Sequence, residues 1–266
     1  MGRRNETTLK LLNTLSFLVM VMVNALAVFL PINGVQTGQV SNAYPNLFSP
    51  AGVTFSIWGV IYLLLAVFII YQLFILPKIN FFGSNLIRDI SPFFIVSSLA
   101  NAAWVFSWHY RFIPLSMLLM LVILACLWKI VFTINRFDLS SKERIYVRLP
   151  FSVYFGWITV ATIANFMVLL VSLGWNQWGL PEPFWTIFLL VLGLASACWI
   201  GLKNRDIAYL LVLIWAYSGI ILKHVSAAGH NGQYPSIIVA AAVCIAGFIV
   251  AILYILKGER RKKLFF

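Results

Sequence analysis

Acidic side chains are nearly missing from this chain: 7 Asp and Glu in 266 residues, against 19 Lys and Arg. Glu6, Asp89, Asp138, Glu143, Glu182, Asp206 and Glu259 all lie outside the centres of the long apolar runs. A carboxylate at membrane depth is the usual device of proton relays and cation-coupled pumps, so its lack argues against both. Asp89 and Asp206, each beside an Arg, read as helix-start residues favoured by the dipole and by interfacial pairing. Cysteine is as scarce. Cys126, Cys198 and Cys244 show no C-x-x-C spacing and read as small buried hydrophobes, which leaves neither a disulfide framework nor a metal cluster. The three histidines, His109, His224 and His230, lack the spacing of ligands on one helix. No G-x-S-x-G, Walker loop, H-E-x-x-H or Gly-rich nucleotide turn is present, so no catalytic residue, cofactor or metal is expected and the chain reads as a non-enzyme. Lys223 has no acidic counter-ion within its apolar run, which argues against a retinal-type Schiff base.

What the chain has in excess is apolar surface: 62% hydrophobic residues, only 10% charge and a mean hydropathy of +0.95, outside the range of soluble globular domains. Eight apolar stretches, at 9–31, 54–77, 88–109, 113–135, 149–173, 184–202, 205–226 and 235–256, are each long enough to cross a layer of about 30 Å as a helix. Threading the chain through them puts Arg3, Arg4, Lys10, Lys78, Arg88, Lys129, Arg136, Lys142, Arg144, Arg148, Lys203, Arg205, Lys257, Arg260, Arg261, Lys262 and Lys263 on one side. Only Arg111 and Lys223 fall on the other. By the positive-inside rule the basic side is cytoplasmic, both termini are inside, and the expected location is the plasma (inner) membrane. The N-terminal apolar run carries on through Val28, Phe29 and Leu30, and is expected to stay as a span instead of being cleaved as a signal peptide. The pI near 9.9 then reflects topology and anionic lipids at the inner face, not nucleic acid. The Arg260, Arg261, Lys262, Lys263 run reads as a lipid-facing anchor.

Polar groups inside the apolar runs carry the functional signal. From the helical rise, Tyr62, Asn101 and Asn165 come out about 12 Å below the outer surface, with Trp58 and Trp104 about a turn shallower. A neutral amide in hydrocarbon needs a partner, so both Asn residues are expected to face the helix bundle. Trp157, Ala161 and Asn165 are spaced four apart and share one helix face, the small Ala161 leaving room between a ring and an amide. This pattern fits an elongated apolar cavity with a few polar contacts, and equally fits interhelical packing with Asn as hydrogen-bonding glue. Above the layer, residues 32–53 are dense in turn formers and read as an ordered cap, a lid or a connector, not as another helix.

At these residues the chain resembles the TspO/MBR family, the tryptophan-rich sensory proteins that include the translocator or peripheral-type benzodiazepine receptor. Pro50, Phe55, Trp58 and Tyr62 match the pattern leading into the family's second helix. Ala100, Asn101, Ala102, Ala103 and Trp104 match the third, and Pro150, Tyr154, Trp157, Ala161 and Asn165 the fifth. The resemblance covers about 9–175. The loop before the second helix lacks the family's Trp and paired Pro, with Tyr44, Phe48 and Pro50 as nearest equivalents. What the resemblance implies is a membrane protein binding a planar hydrophobic ligand, tetrapyrrole or sterol-like, through Phe55, Trp58, Tyr62, Asn101, Trp104, Trp157, Ala161 and Asn165.

The expected architecture is therefore all-α, with eight transmembrane helices: a TspO-like five-helix unit at 9–175, a three-helix extension at 176–257 and a basic cytoplasmic tail at 258–266. Gly193, Ala197 and Gly201 on the extension's first helix form a small-residue stripe expected to pack the extension closely against the five-helix unit. The expected partners are a porphyrin-like or sterol-like small molecule, anionic lipids and a second copy of the chain. A transporter or permease component and a structural subunit of a membrane complex are the alternatives.

Overall fold

The computed structural model describes residues 2–30, 32–75 and 82–264, without the side chains of 2–5, 82–84 and 259–264. Lys78 and the side chains of Arg3, Arg4, Arg260, Arg261, Lys262 and Lys263, which enter the inner-face charge count and the lipid anchor, thus lie outside the described residues. Eight long helices follow in order: α1 (Gly2–Phe29), α2 (Ile57–Ile70), α3 (Phe82–His109), α4 (Ile113–Ile134), α5 (Leu149–Ser172), α6 (Glu182–Asn204), α7 (Ile207–Val225) and α8 (Pro235–Leu264). Each carries or lies in a stretch long and apolar enough to cross a membrane, that of α2 being Gly52–Ile75 with the helical turns on either side, and the described residues form no strand. The protein is an all-α polytopic integral membrane protein.

Several helices outrun their apolar stretches. α3 starts at Phe82 and α8 continues to Leu264, because apolarity marks depth in the bilayer while backbone hydrogen bonding continues into polar sequence. This corrects the placing of Asp89 at a helix start: it lies within α3, in an exposed pair with Arg88 at 3.4 Å. Asp206 does cap a helix. Arg205 adopts a left-handed conformation that ends α6, and Asp206 Oδ1 then accepts the Tyr209 main-chain N–H at 3.1 Å to open α7. Tyr71–Ile75 and Arg144–Arg148 are π-helical turns, one continuing α2 and the other leading into α5.

The segment read as free of helix contains one. Thr37–Asn42 forms a short α-helix between 3-10 turns at Ile32–Gly34 and Gly52–Ser56. The turn formers Thr37, Gly38, Ser41 and Asn42 masked it, and the Gln36 main-chain N–H donating to Gln39 Oε1 at 2.8 Å supplies the helix start.

The chain forms two compact units, Met1–Tyr44 with Ile57–Asn165, and Pro45–Ser56 with Phe166–Phe266. In the first, α3 packs against α1 and α4. Phe68, Phe94 and Phe151 meet edge to face at 5.0–5.6 Å and seal its core. In the second, α8 lies on α6 and α7. There Tyr217 meets Phe248 edge-on and donates its hydroxyl to the Leu190 carbonyl at 2.9 Å. The stripe Gly193, Ala197 and Gly201 is buried, and a Cβ at Gly201 would press on Leu210 of α7. The first unit ends at Asn165, and residues 45–56 group with the C-terminal helices.

Candidate functional site

Seven of the eight candidate residues belong to the first compact unit. Trp58 stands at the centre of an aromatic group. It stacks on Tyr62, one turn along α2, at 5.5 Å and 20°, and meets Tyr154 and Trp157 of α5 edge-on at 5.9 and 6.2 Å. The Tyr62 hydroxyl is buried with no hydrogen-bond partner among the described residues.

The two amides are engaged. Asn101, fully buried, donates from Nδ2 to the Tyr154 hydroxyl at 3.1 Å and accepts at Oδ1 from Asn24 Nδ2 of α1 at 2.7 Å. Asn165 accepts from Trp104 Nε1 at 2.9 Å and donates to Ser116 Oγ of α4 at 3.1 Å. Both sit inside the bundle, as the desolvation argument requires, and each ties together three helices. Trp104 also stacks on Trp108 at 5.4 Å. On α5, Trp157 and Asn165 are buried and Ala161, between them, is half-buried. Sequence reasoning missed Asn24, Ser116 and Tyr154. Asn24 and Ser116 carry the signal that picked out Asn101, a polar side chain within an apolar run; Tyr154 stood in the fifth-helix pattern without being carried into the site.

A second polar group lies nearer the other end of the unit. Asn13 Nδ2 donates to Gln72 Oε1 at 2.9 Å and to Ser91 Oγ at 2.8 Å, joining α1 to α3 and to the π-helical turn after α2. At the far end of α3, buried His109 bonds to the Val105 carbonyl at 2.7 Å and to Thr37 Oγ1 at 3.3 Å. Trp108 Nε1 donates to the Thr37 carbonyl at 3.0 Å, so the short helix is pinned to the end of α3.

Phe55, the eighth candidate, belongs to the other unit and is half-buried in the Gly52–Ser56 turn. That turn is fixed to α7: the Ala51 N–H donates to the Gly219 carbonyl at 2.9 Å, and Trp215 Nε1 donates to the Thr54 carbonyl at 3.0 Å. Further up, the Leu47 N–H donates to Glu182 Oε1 at 2.8 Å and the Leu47 carbonyl accepts from His224 Nε2 at 2.9 Å. His224 stacks on His230 at 4.6 Å, and both rings meet Tyr234 edge-on. Among the described residues, no three His, Cys, Asp or Glu side chains gather to hold a metal. Beside Glu182 a cavity of about 190 Å³ opens between the end of α5 and the start of α6, walled by Trp175 and Trp185.

A model of the TSPO-like protein family matches residues 10–254, running through α6 and α7 and most of α8. No curated protein and no solved structure matches the chain.

Proposed function

The chain belongs to the TSPO-like protein family, and from that premise we propose that it is a membrane sensory or binding protein for a planar hydrophobic ligand, tetrapyrrole or sterol-like, held in the five-helix unit. The observation that carries the reading is the Trp58 group, an aromatic surface of four rings with one unpaired buried hydroxyl, Tyr62. A flat apolar ligand would lie against the Trp58 and Trp157 rings, and its polar edge would meet the Tyr62 hydroxyl. Asn101 and Asn165, already paired within the protein, would hold the helices that carry those rings. The role is that of a binder and not an enzyme, in the plasma membrane with both termini cytoplasmic. Anionic lipids contact its basic face, and self-association is compatible with it.

The test is titration of the detergent-purified protein with protoporphyrin IX, followed by tryptophan quenching, in wild type and Tyr62→Phe. Phe keeps the stacking surface and removes only the hydroxyl. Affinity should fall by about 1 kcal/mol, roughly fivefold, while thermal stability holds or rises, since an unpaired buried group has been removed. A variant that loses stability yet quenches like wild type would assign the hydroxyl to packing. Non-saturating quenching in both proteins would instead favour the structural-subunit reading.

A further inference from the structure

The cavity in the C-terminal unit has a chemistry of its own. Its floor is apolar, from Leu170 and Val171 of α5, its walls are Trp175, Trp185 and Pro45, and its one charged group is Glu182. In the threading of the eight spans, Glu182 is the sole acidic residue on its side of the membrane, in a chain of net charge +12. Its carboxylate is anchored: Oε1 accepts the Leu47 N–H, two residues beyond the wall residue Pro45. Trp185 is fixed in turn, donating from Nε1 to the Gln177 carbonyl at 2.9 Å and meeting Trp175 edge-on at 5.0 Å.

We propose that this cavity binds an alkylammonium group, supplied by a free amine or by the choline head of a lipid. A carboxylate selects for positive charge, and indole faces attract an ammonium through the ring quadrupole while tolerating its methyl groups. A hydrated metal ion would gain little here, because one carboxylate among apolar walls offers too few oxygen ligands. At about 190 Å³ the space falls below the range of about 300–1,000 Å³ usual for drug-sized ligands, which suits a headgroup better than a whole lipid or a tetrapyrrole. Its walls lie in the C-terminal unit, so the site is independent of the Trp58 group.

The experiment is calorimetric titration of the full chain with choline chloride, against potassium chloride at equal ionic strength. It is run in neutral maltoside micelles and in phosphatidylcholine and phosphatidylglycerol nanodiscs. Saturable binding is expected in micelles and in phosphatidylglycerol. Glu182→Gln keeps the oxygen that accepts the Leu47 N–H and removes only the charge, and should bind at least tenfold more weakly. Val171→Phe fills the cavity without touching Glu182 and should bind no choline. Binding that disappears in phosphatidylcholine discs assigns the site to lipid heads, and binding that persists there assigns it to a free amine. Equal binding by wild type and Glu182→Gln, unimpaired binding by Val171→Phe, or no saturable heat in micelles and phosphatidylglycerol would overturn the proposal.

Discussion

Asn101 bonds on both sides of its amide, to Asn24 on α1 and Tyr154 on α5, so removing it disturbs two other helices. Asn101→Ala leaves the Tyr154 hydroxyl without its donor and should cost about 1–3 kcal/mol of stability. Asn24→Ala removes one end of the same network. The double variant should therefore cost less than the sum of the singles by about 0.5–1.5 kcal/mol, read from unfolding in detergent. Strict additivity would mean that the Asn24–Asn101 bond contributes nothing. At this scale the sequence told that Asn101 and Asn165 must be buried, because the cost of an unpaired amide in hydrocarbon does not depend on the partner. It could not tell which partners they take. Those depend on the rotation and register of neighbouring helices, and Asn24, Ser116 and Tyr154 reveal their roles only once α1, α4 and α5 are placed.

For the elements, the decisive contact is between the Gly52–Ser56 turn and α7. A Cβ at Gly219 would overlap the Thr54 side chain, so the absence of one is what lets the Ala51 N–H reach the Gly219 carbonyl. Gly219→Ala should destabilise by about 1–3 kcal/mol through overpacking and expose residues 45–56 to protease. Thr54→Ala should recover part of both, since it removes the two nearest atoms and leaves Cβ at 2.9 Å, while the Thr54 hydroxyl, buried without a hydrogen-bond partner among the described residues, costs little to lose. A double variant as unstable as Gly219→Ala alone would place the effect elsewhere. The loop between α7 and α8 gives a pH prediction. Burial, then the neighbouring His224 and Lys223, hold the His230 imidazole below its ordinary value of about 6.5, with Tyr234 edge-on to the ring. The unfolded chain thus takes up a proton at a higher pH than the folded one. Stability is undiminished above about pH 6.5 and falls as the pH drops below it, toward the folded value. His230→Gln should flatten the fall in melting temperature between pH 7.5 and 5.5, and an unchanged slope would show that other groups govern it. Long apolar runs revealed all eight helices but not the Thr37–Asn42 helix, whose residues are individually better turn formers than helix formers.

On the scale of the whole molecule, the eight helices and the lopsided basic residues are parts of one constraint. If all eight stretches span, the C terminus returns to the side of the N terminus, and the expected threading puts Arg136, Lys142, Arg144, Arg148, Lys203 and Arg205 on one face with Lys10. Class and helix count were legible in the sequence because hydropathy is a sum over many residues and survives errors at any one. The boundary between units was harder to read, because residues 45–56 precede α2 in the chain yet bond to α6 and α7 through Leu47 and Ala51, and no local pattern records so distant a pairing. The orientation can be tested by thiol labelling in a background lacking Cys126, Cys198 and Cys244. Gln39 and Asp138 are both exposed, in segments on opposite sides of the threading. Gln39→Cys should react with a membrane-impermeant maleimide in intact cells, and Asp138→Cys only after permeabilisation. The reverse pattern would invert the chain and place its basic face outside. Labelling of both sites in intact cells would break the even-span topology, because 39 and 138 are separated by three helices, and an odd count must put them on opposite sides.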